Sequence, residues 1–258
     1  MKTRSTMLFT MVVIGSGLFT SRVTAAPLLS YWGAQTFVPG AVIDNPYCPM
    51  TSTGTNVYAG EFKEDGEILT ESFEQSNTGP GKTLLGVATW TQLDRAFEGD
   101  LLVEETDDYY AQDSDGNVWY FGEDVTNYLY NDNDELIGTN DSSSWLASVN
   151  DALPGIIMPA DPSVGFSYLQ EFAVADNALD FATVSAVGLE VTIGIGTFRN
   201  VVRILEGSLL DPDFREFKYY APGIGLILAE EDLDENLLNP HLSVELAAPV
   251  RFRQGLPC

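Results

Sequence analysis

Gly86-Val87-Ala88-Thr89-Trp90-Thr91-Gln92-Leu93-Asp94-Arg95-Ala96-Phe97, then Glu98-Gly99-Asp100, then Leu101-Leu102-Val103-Glu104-Glu105-Thr106-Asp107-Asp108-Tyr109-Tyr110-Ala111-Gln112: this stretch decides the fold. Two runs rich in Thr, Val, Tyr and Phe are joined by three residues of turn chemistry, which is how an antiparallel hairpin reads in sequence. The pattern continues on both sides. Thr55 to Phe62 and Glu67 to Phe73 flank Asp65-Gly66, and Gly79-Pro80-Gly81 reads as the divider before Gly86. Asn117 to Glu123 follows the turn Ser114-Asp115-Gly116-Asn117, and Tyr128 to Tyr130 meets Glu135 to Thr139 across Asn131-Asp132-Asn133-Asp134. Further runs occupy Ser167 to Val174, Ala182 to Ile193, Asn200 to Glu206, Phe214 to Tyr220 and Gly225 to Glu230. No stretch is long and amphipathic enough to cross between parallel strands. The expectation is an all-β chain, a single antiparallel, strongly curved sheet or half-open barrel.

Two segments break the pattern. Pro154-Gly155-Ile156-Ile157-Met158-Pro159-Ala160-Asp161-Pro162 reads as a Pro-rich plug loop, because its prolines oppose regular pairing while Ile-Ile-Met must be hidden from water. Glu230 to Asn239 has a helical flavour ended by Pro240. The organisation expected is a signal peptide over residues 1–25, an irregular lead-in over 26–50 with prolines at 27, 39, 46 and 49, one β domain over 51–230 and a C-terminal extension over 231–258.

Lys2 and Arg4 precede the apolar run Met7 to Phe19, and small residues follow near Val23-Thr24-Ala25, which is the layout of a secretory leader. Secreted or periplasmic localisation follows, with no membrane span after cleavage. The whole chain of 258 residues carries 38 Asp plus Glu against 12 Lys plus Arg, a net charge of -26. Loss of Lys2, Arg4 and Arg22 with the leader takes it to -29. With 45% apolar residues the chain builds a core, so the acidity belongs to a folded protein. Nucleic acid is excluded as a partner for want of a basic stripe. One histidine and two cysteines leave no zinc site of four N and S donors. Cys48 and Cys258 are an even pair in an oxidising compartment, so a disulfide is expected, closing a loop of about 210 residues; two free or intermolecular thiols are the alternative.

The run from Tyr109-Tyr110-Ala111-Gln112-Asp113 through Gly116-Asn117-Val118-Trp119-Tyr120-Phe121-Gly122-Glu123, then Pro154 to Ala160, then Gly165 to Phe172, then Lys218-Tyr219-Tyr220-Ala221-Pro222-Gly223-Ile224-Gly225-Leu226, resembles a family of exported bacterial β-rich proteins with no assigned activity. The resemblance implies one antiparallel β domain, loosely similar to periplasmic lipoprotein-carrier half-barrels. It supplies no catalytic residues. Cys48 and the tail from about Glu231 depart from the family pattern.

Four sets of residues carry candidate chemistry. Asp113, Asp115 and Asn117 have the spacing that opens a calcium loop, and the same residues make an ordinary hairpin turn. Glu123 and Asp124 end the apolar run Val118 to Phe121, where burial would raise a carboxyl pKa and suit acid–base work. Glu104, Glu105, Asp107 and Asp108 read as a solvated strand end. Trp119, Phe121, Tyr110 and Tyr220, with Ile157 and Met158 across the mouth, are the candidates to line a cavity for an apolar ligand. No Gly-x-Ser-x-Gly elbow accompanies His241. The expected role is non-catalytic binding of an apolar small molecule, a lipid or an envelope protein, without a cofactor. The alternatives are a cofactor-independent isomerase, cyclase or hydrolase using a carboxylate or Tyr in the cavity, and a calcium-binding acidic surface protein.

Overall fold

A computed structural model of the chain describes residues 32, 33, 35–51, 54–64 and 67–249. The leader and Cys258 lie outside the described residues. Fifteen strands follow in chain order: β1 (Thr55–Glu64), β2 (Glu67–Leu84), β3 (Val87–Glu98), β4 (Leu101–Gln112), β5 (Val118–Tyr130), β6 (Leu136–Asn140), β7 (Trp145–Leu146), β8 (Leu153–Met158), β9 (Ser167–Leu169), β10 (Glu171–Phe172), β11 (Asp180–Ile193), β12 (Gly196–Ser208), β13 (Arg215–Ala221), β14 (Gly225–Glu231) and β15 (Leu242–Pro249). They form one antiparallel sheet ordered β10-β8-β5-β4-β3-β2-β1-β15-β14-β13-β12-β11-β9, with β6 and β7 added to β5. The all-β curved sheet expected from the turn chemistry is therefore what forms, and it curls into a nearly closed barrel.

The curl is sealed by one extended run. Ser167 to Leu169 pairs with β11, and after Gln170 the chain continues as Glu171 and Phe172 on β8, so the two ends of the sheet path are the two halves of one segment. Gly155 of β8 faces this seam: a Cβ there would collide with the Gln170 carbonyl and lie 2.6 Å from the Leu169 carbonyl oxygen, so only glycine fits.

Four sequence expectations are corrected by the sheet. Residues 153–158 are not a plug loop: they pair with β5 and β10 beside the seam, and Pro154 lies opposite Glu171 of the short β10, outside the register with β5, where Pro is tolerated. Gly79-Pro80-Gly81 is not a turn. β2 runs through it with register shifts on either side of Gly79–Pro80, and the chain turns instead at Leu85-Gly86. Gly81 is needed there because a Cβ would sit 2.7 Å from the hydroxyls of Thr89 and Thr91. The stretch 230–239 forms no helix. Asp234 captures the amides of Asn236 and Leu238 and the side chain of Asn239, which a helix would have needed for its own ladder. The boundary read at residue 230 falls inside the sheet, because β15 lies between β14 and β1.

The lead-in covers one end of the barrel. Gln112 Nε2 donates to Asp44, Asn45 Nδ2 donates to the carbonyls of Gly116 and Pro159, and the Gly223 amide donates to the Pro46 carbonyl, so residues 43–50 are tied to three separate turns. Ile43 and Met50 are buried beneath that cap.

Candidate functional site

β5 positions the site, because its two faces do different things. Trp119 and Phe121 point outward and are covered by the lead-in: Trp32 packs edge-on to both, at 5.7 and 5.5 Å between ring centroids, and Phe37 packs on Phe121 at 5.7 Å. Tyr120 points into the barrel. Strict alternation would send Asp124 inward after it, but β5 places Phe121-Gly122 opposite the single residue Tyr109, a β-bulge with Gly122 at φ +120°. The extra residue turns Glu123 into the lumen beside Tyr120 and sends Asp124 outward, where it accepts from the Tyr109 hydroxyl at 2.6 Å and pairs with Lys82.

The lumen is a cavity of about 450 Å³. The cap segment 47–51 closes part of it, and Tyr58, Phe73, Tyr110, Tyr220, Ile157 and Leu226 give it apolar wall. Much of the remaining wall is carboxyl. On one side Lys218 Nζ lies 2.8 Å from Glu206 Oε2 and 3.0 Å from Glu216 Oε1, and Gln170 Nε2 donates to the other Glu206 oxygen at 3.0 Å. Burial works against the Lys218 charge, but the two glutamates outweigh it and hold the lysine's pKa well above its ordinary value. Burial pushes Glu216 up to about 7 despite Lys218.

On the other side the Tyr120 hydroxyl lies 2.5 Å from Asp108 Oδ1 and 2.9 Å from Glu123 Oε2. A phenol has one proton, so it donates to one carboxylate; the second short contact requires a protonated carboxyl that donates to the phenolic oxygen. The electrostatics agree. Burial first, then Asp94, Glu104 and Glu171, holds Asp108 well above the ordinary carboxyl range, and burial first, then Glu171, Asp108 and Glu104, does the same for Glu123. Glu171 is raised by burial and by Asp180. Asp94, raised to about 7 by burial, accepts from Gln75 Nε2 at 2.9 Å through Oδ2. Asp94 Oδ1 and Glu123 Oε1 accept nothing.

The residues singled out from sequence fall on both sides of the wall. Tyr110, Ile157 and Tyr220 line the lumen; Trp119, Phe121 and Met158 are buried outside it. Glu123 is in the lumen and Asp124 is not. Asp113, Asp115 and Asn117 form the β4–β5 turn on the capped end. Asp113 Oδ1 accepts the amides of Asp115 and Asn117, and Oδ2 accepts Asn117 Nδ2 and the Trp119 indole. Among the described residues no group of three or more His, Cys, Asp or Glu is arranged to hold a metal ion. Cys48 reaches the lumen wall, its thiol pushed up to about 12 by burial; among the described residues it forms no disulfide.

Sequence reasoning missed most of the acidic wall. The reading of residues 104–108 as a solvated strand end is corrected: Glu104 and Asp108 face the lumen and are joined there by Asp94, Glu171 and the Lys218 triad. The available signal was period two, in Glu104, Thr106, Asp108, Tyr110 and again in Glu216, Lys218, Tyr220.

No family model matches this chain, so the resemblance of its sequence blocks rests on those blocks alone. No curated protein matches it either. A crystal structure described as that of "a putative lipoprotein" from Parabacteroides distasonis ATCC 8503 aligns with 81% of this chain and 98% of its own, at 13% identity and a TM-score of 0.39, a likeness that assigns neither function nor ligand.

Proposed function

We propose that this is a secreted or periplasmic non-catalytic binding protein that holds a small molecule in its barrel lumen, the molecule having an apolar body and a polar head. One observation carries the reading: a capped cavity of about 450 Å³ lined by carboxyl side chains, two of which, Glu123 and Asp94, carry a buried oxygen with no protein partner. Leaving a buried polar atom unpaired costs about 1–3 kcal/mol, a penalty that a bound ligand removes. The aromatic and aliphatic part of the wall suits the apolar body, which accords with the apolar ligand expected from sequence. The leader-like N-terminus supports export. The sharing of two protons among Asp108, Tyr120 and Glu123 favours a second reading, an acid–base site for an isomerase or hydrolase in the same cavity.

Native mass spectrometry of the mature protein purified from its own host tests the first reading. The expected result is a non-covalent mass increment of a few hundred daltons that extracts unchanged into organic solvent. A bare protein mass overturns it, and recovery of a chemically altered added compound moves the assignment to the enzyme.

A further inference from the structure

Lumen binding alone does not say what the polar head is; the wall does. Eight carboxyl side chains reach the cavity against Lys218 and Arg95. Lys218 is held by Glu206 and Glu216, and Arg95 Nε is held 2.8 Å from Glu105. An anionic head would enter a field already negative enough to keep protons on its own wall. A neutral head would leave that field without a countercharge. Glu123, only 8% exposed, lines this space and carries an Oε1 with no hydrogen-bond partner, and Asp94 lines it with an unpartnered Oδ1. Both vacancies are acceptors when the carboxyls are ionised, so they call for N–H donors, and charge-assisted N–H to carboxylate bonds are about twice as strong as neutral ones. The Tyr110 and Tyr120 rings, stacked with centroids 4.9 Å apart, line the same region and offer π faces to a cation. The carboxyls are spread around the wall rather than gathered for a metal ion, so an organic cation matches them better than a bare one.

Resting on the lumen-binding reading above, we propose that the polar head is a protonated amine, a primary or secondary ammonium or a guanidinium, received by Glu123 and Asp94 with Asp108 behind them. Glu123 is faced by Glu104, Asp108 and Tyr110 of β4, Tyr120 of β5 and Glu171 of β10; Asp94 is faced by Tyr58 of β1, Glu104, Asp108 and Tyr110 of β4 and Lys218 of β13. Asp94, raised to about 7 by burial, holds a proton at pH 6 that the ammonium must displace, and burial raises Glu123 and Asp108 in the same direction. Binding therefore strengthens toward pH 8 and releases protons to the buffer.

The test is calorimetric titration of the full mature chain with octylamine and with 1-octanol, which differ only in the head, and with calcium chloride, at pH 6 and pH 8. Octylamine is expected to bind at least about tenfold tighter than octanol at pH 8, with a smaller margin at pH 6. The preference is expected to vanish in the double variant Glu123→Gln, Asp94→Asn, whose fold is checked by circular dichroism. Equal binding of octanol overturns the amine assignment and leaves lumen binding standing. Binding of neither compound overturns both. A preference that survives the double variant overturns the assignment to these two carboxyls, and displacement of octylamine by equimolar calcium overturns the N–H donor in favour of a bare cation.

Discussion

The two faces of β5 bury carboxyl groups in opposite ways. Outside, Asp113 at the foot of the strand accepts four hydrogen bonds and steers the Trp119 indole beneath the lead-in. Inside, a few residues along, Asp108 and Glu123 share Tyr120 and leave an oxygen empty. The two environments are similarly buried. What separates them is satisfaction: a carboxylate with all its acceptor positions used holds a turn in place, whereas one with a position unused, in a cavity, keeps its cost until something fills it. The same strand thus carries scaffold on one side and vacancy on the other.

The sharpest way to break this contrast is to remove the bulge that produces it. Gly122→Ala places a Cβ against the Trp145 carbonyl and 2.8 Å from Leu146 Cα, at a φ of +120° that L residues avoid. A loss of about 4 kcal/mol is expected in denaturant unfolding, or a barrel in which Glu123 has left the lumen. Asp113→Ala tests the satisfied side. It strips partners from two backbone amides, an Asn side chain and an indole, and is expected to lower stability by about 3 kcal/mol, read by the same unfolding curve. A loss below about 1 kcal/mol contradicts the scaffold role.

The unsatisfied side is expected to show itself in pH. Burial holds Asp94 and Glu216 at about 7, Asp180 at about 6 and Glu231 at about 8, against ordinary values of 3.8 for Asp and 4.5 for Glu. Between those values the folded chain binds more protons than the unfolded one. The stability these groups contribute is therefore full below about pH 4 and is lost as pH rises through 6 to 8. The thermal midpoint is expected to be lower at pH 8 than at pH 5 by about 5 °C, roughly 2 kcal/mol for a domain of this size. A midpoint that rises over that interval contradicts the burial of these acids as the cause of their raised pKa values.

Much of the fold is legible in the sequence, because hairpin turns are local. Leu101 to Gln112 reads as a strand with the bounds that β4 has, and Glu98-Gly99-Asp100 turns where it says it does. Gly79-Pro80-Gly81 misleads because the same residues serve turns and bulges, and only the neighbours Thr89, Thr91 and Tyr109 decide between them. The acidic wall is harder to see. Period two separates Glu104, Thr106, Asp108 and Tyr110 from Glu105, Asp107 and Tyr109, but acids stand on both faces, so it does not say which face is the inner one. Beyond it, the bulge at Gly122 reverses parity, and counting from Tyr120 selects Asp124 when the inward residue is Glu123. Trp119 and Phe121 look like cavity wall until Trp32 and Phe37, distant in sequence, are found lying on them.

The pairing of β1 with β15 also has a kinetic side. Tyr58 lies opposite Leu246 and Gly60 opposite Val244, so the first strand has no permanent neighbour on that edge until the last one arrives. Contacts so remote along the chain must overcome a large closure entropy before they return any stability, which places this barrel among slowly folding topologies. During that wait β1 presents an open row of amides and carbonyls to any other chain. The carboxylates along the strands, ionised in the unfolded chain at neutral pH, then act as mutual repellents that keep unfinished copies apart, before the closed barrel forces some of them to take protons.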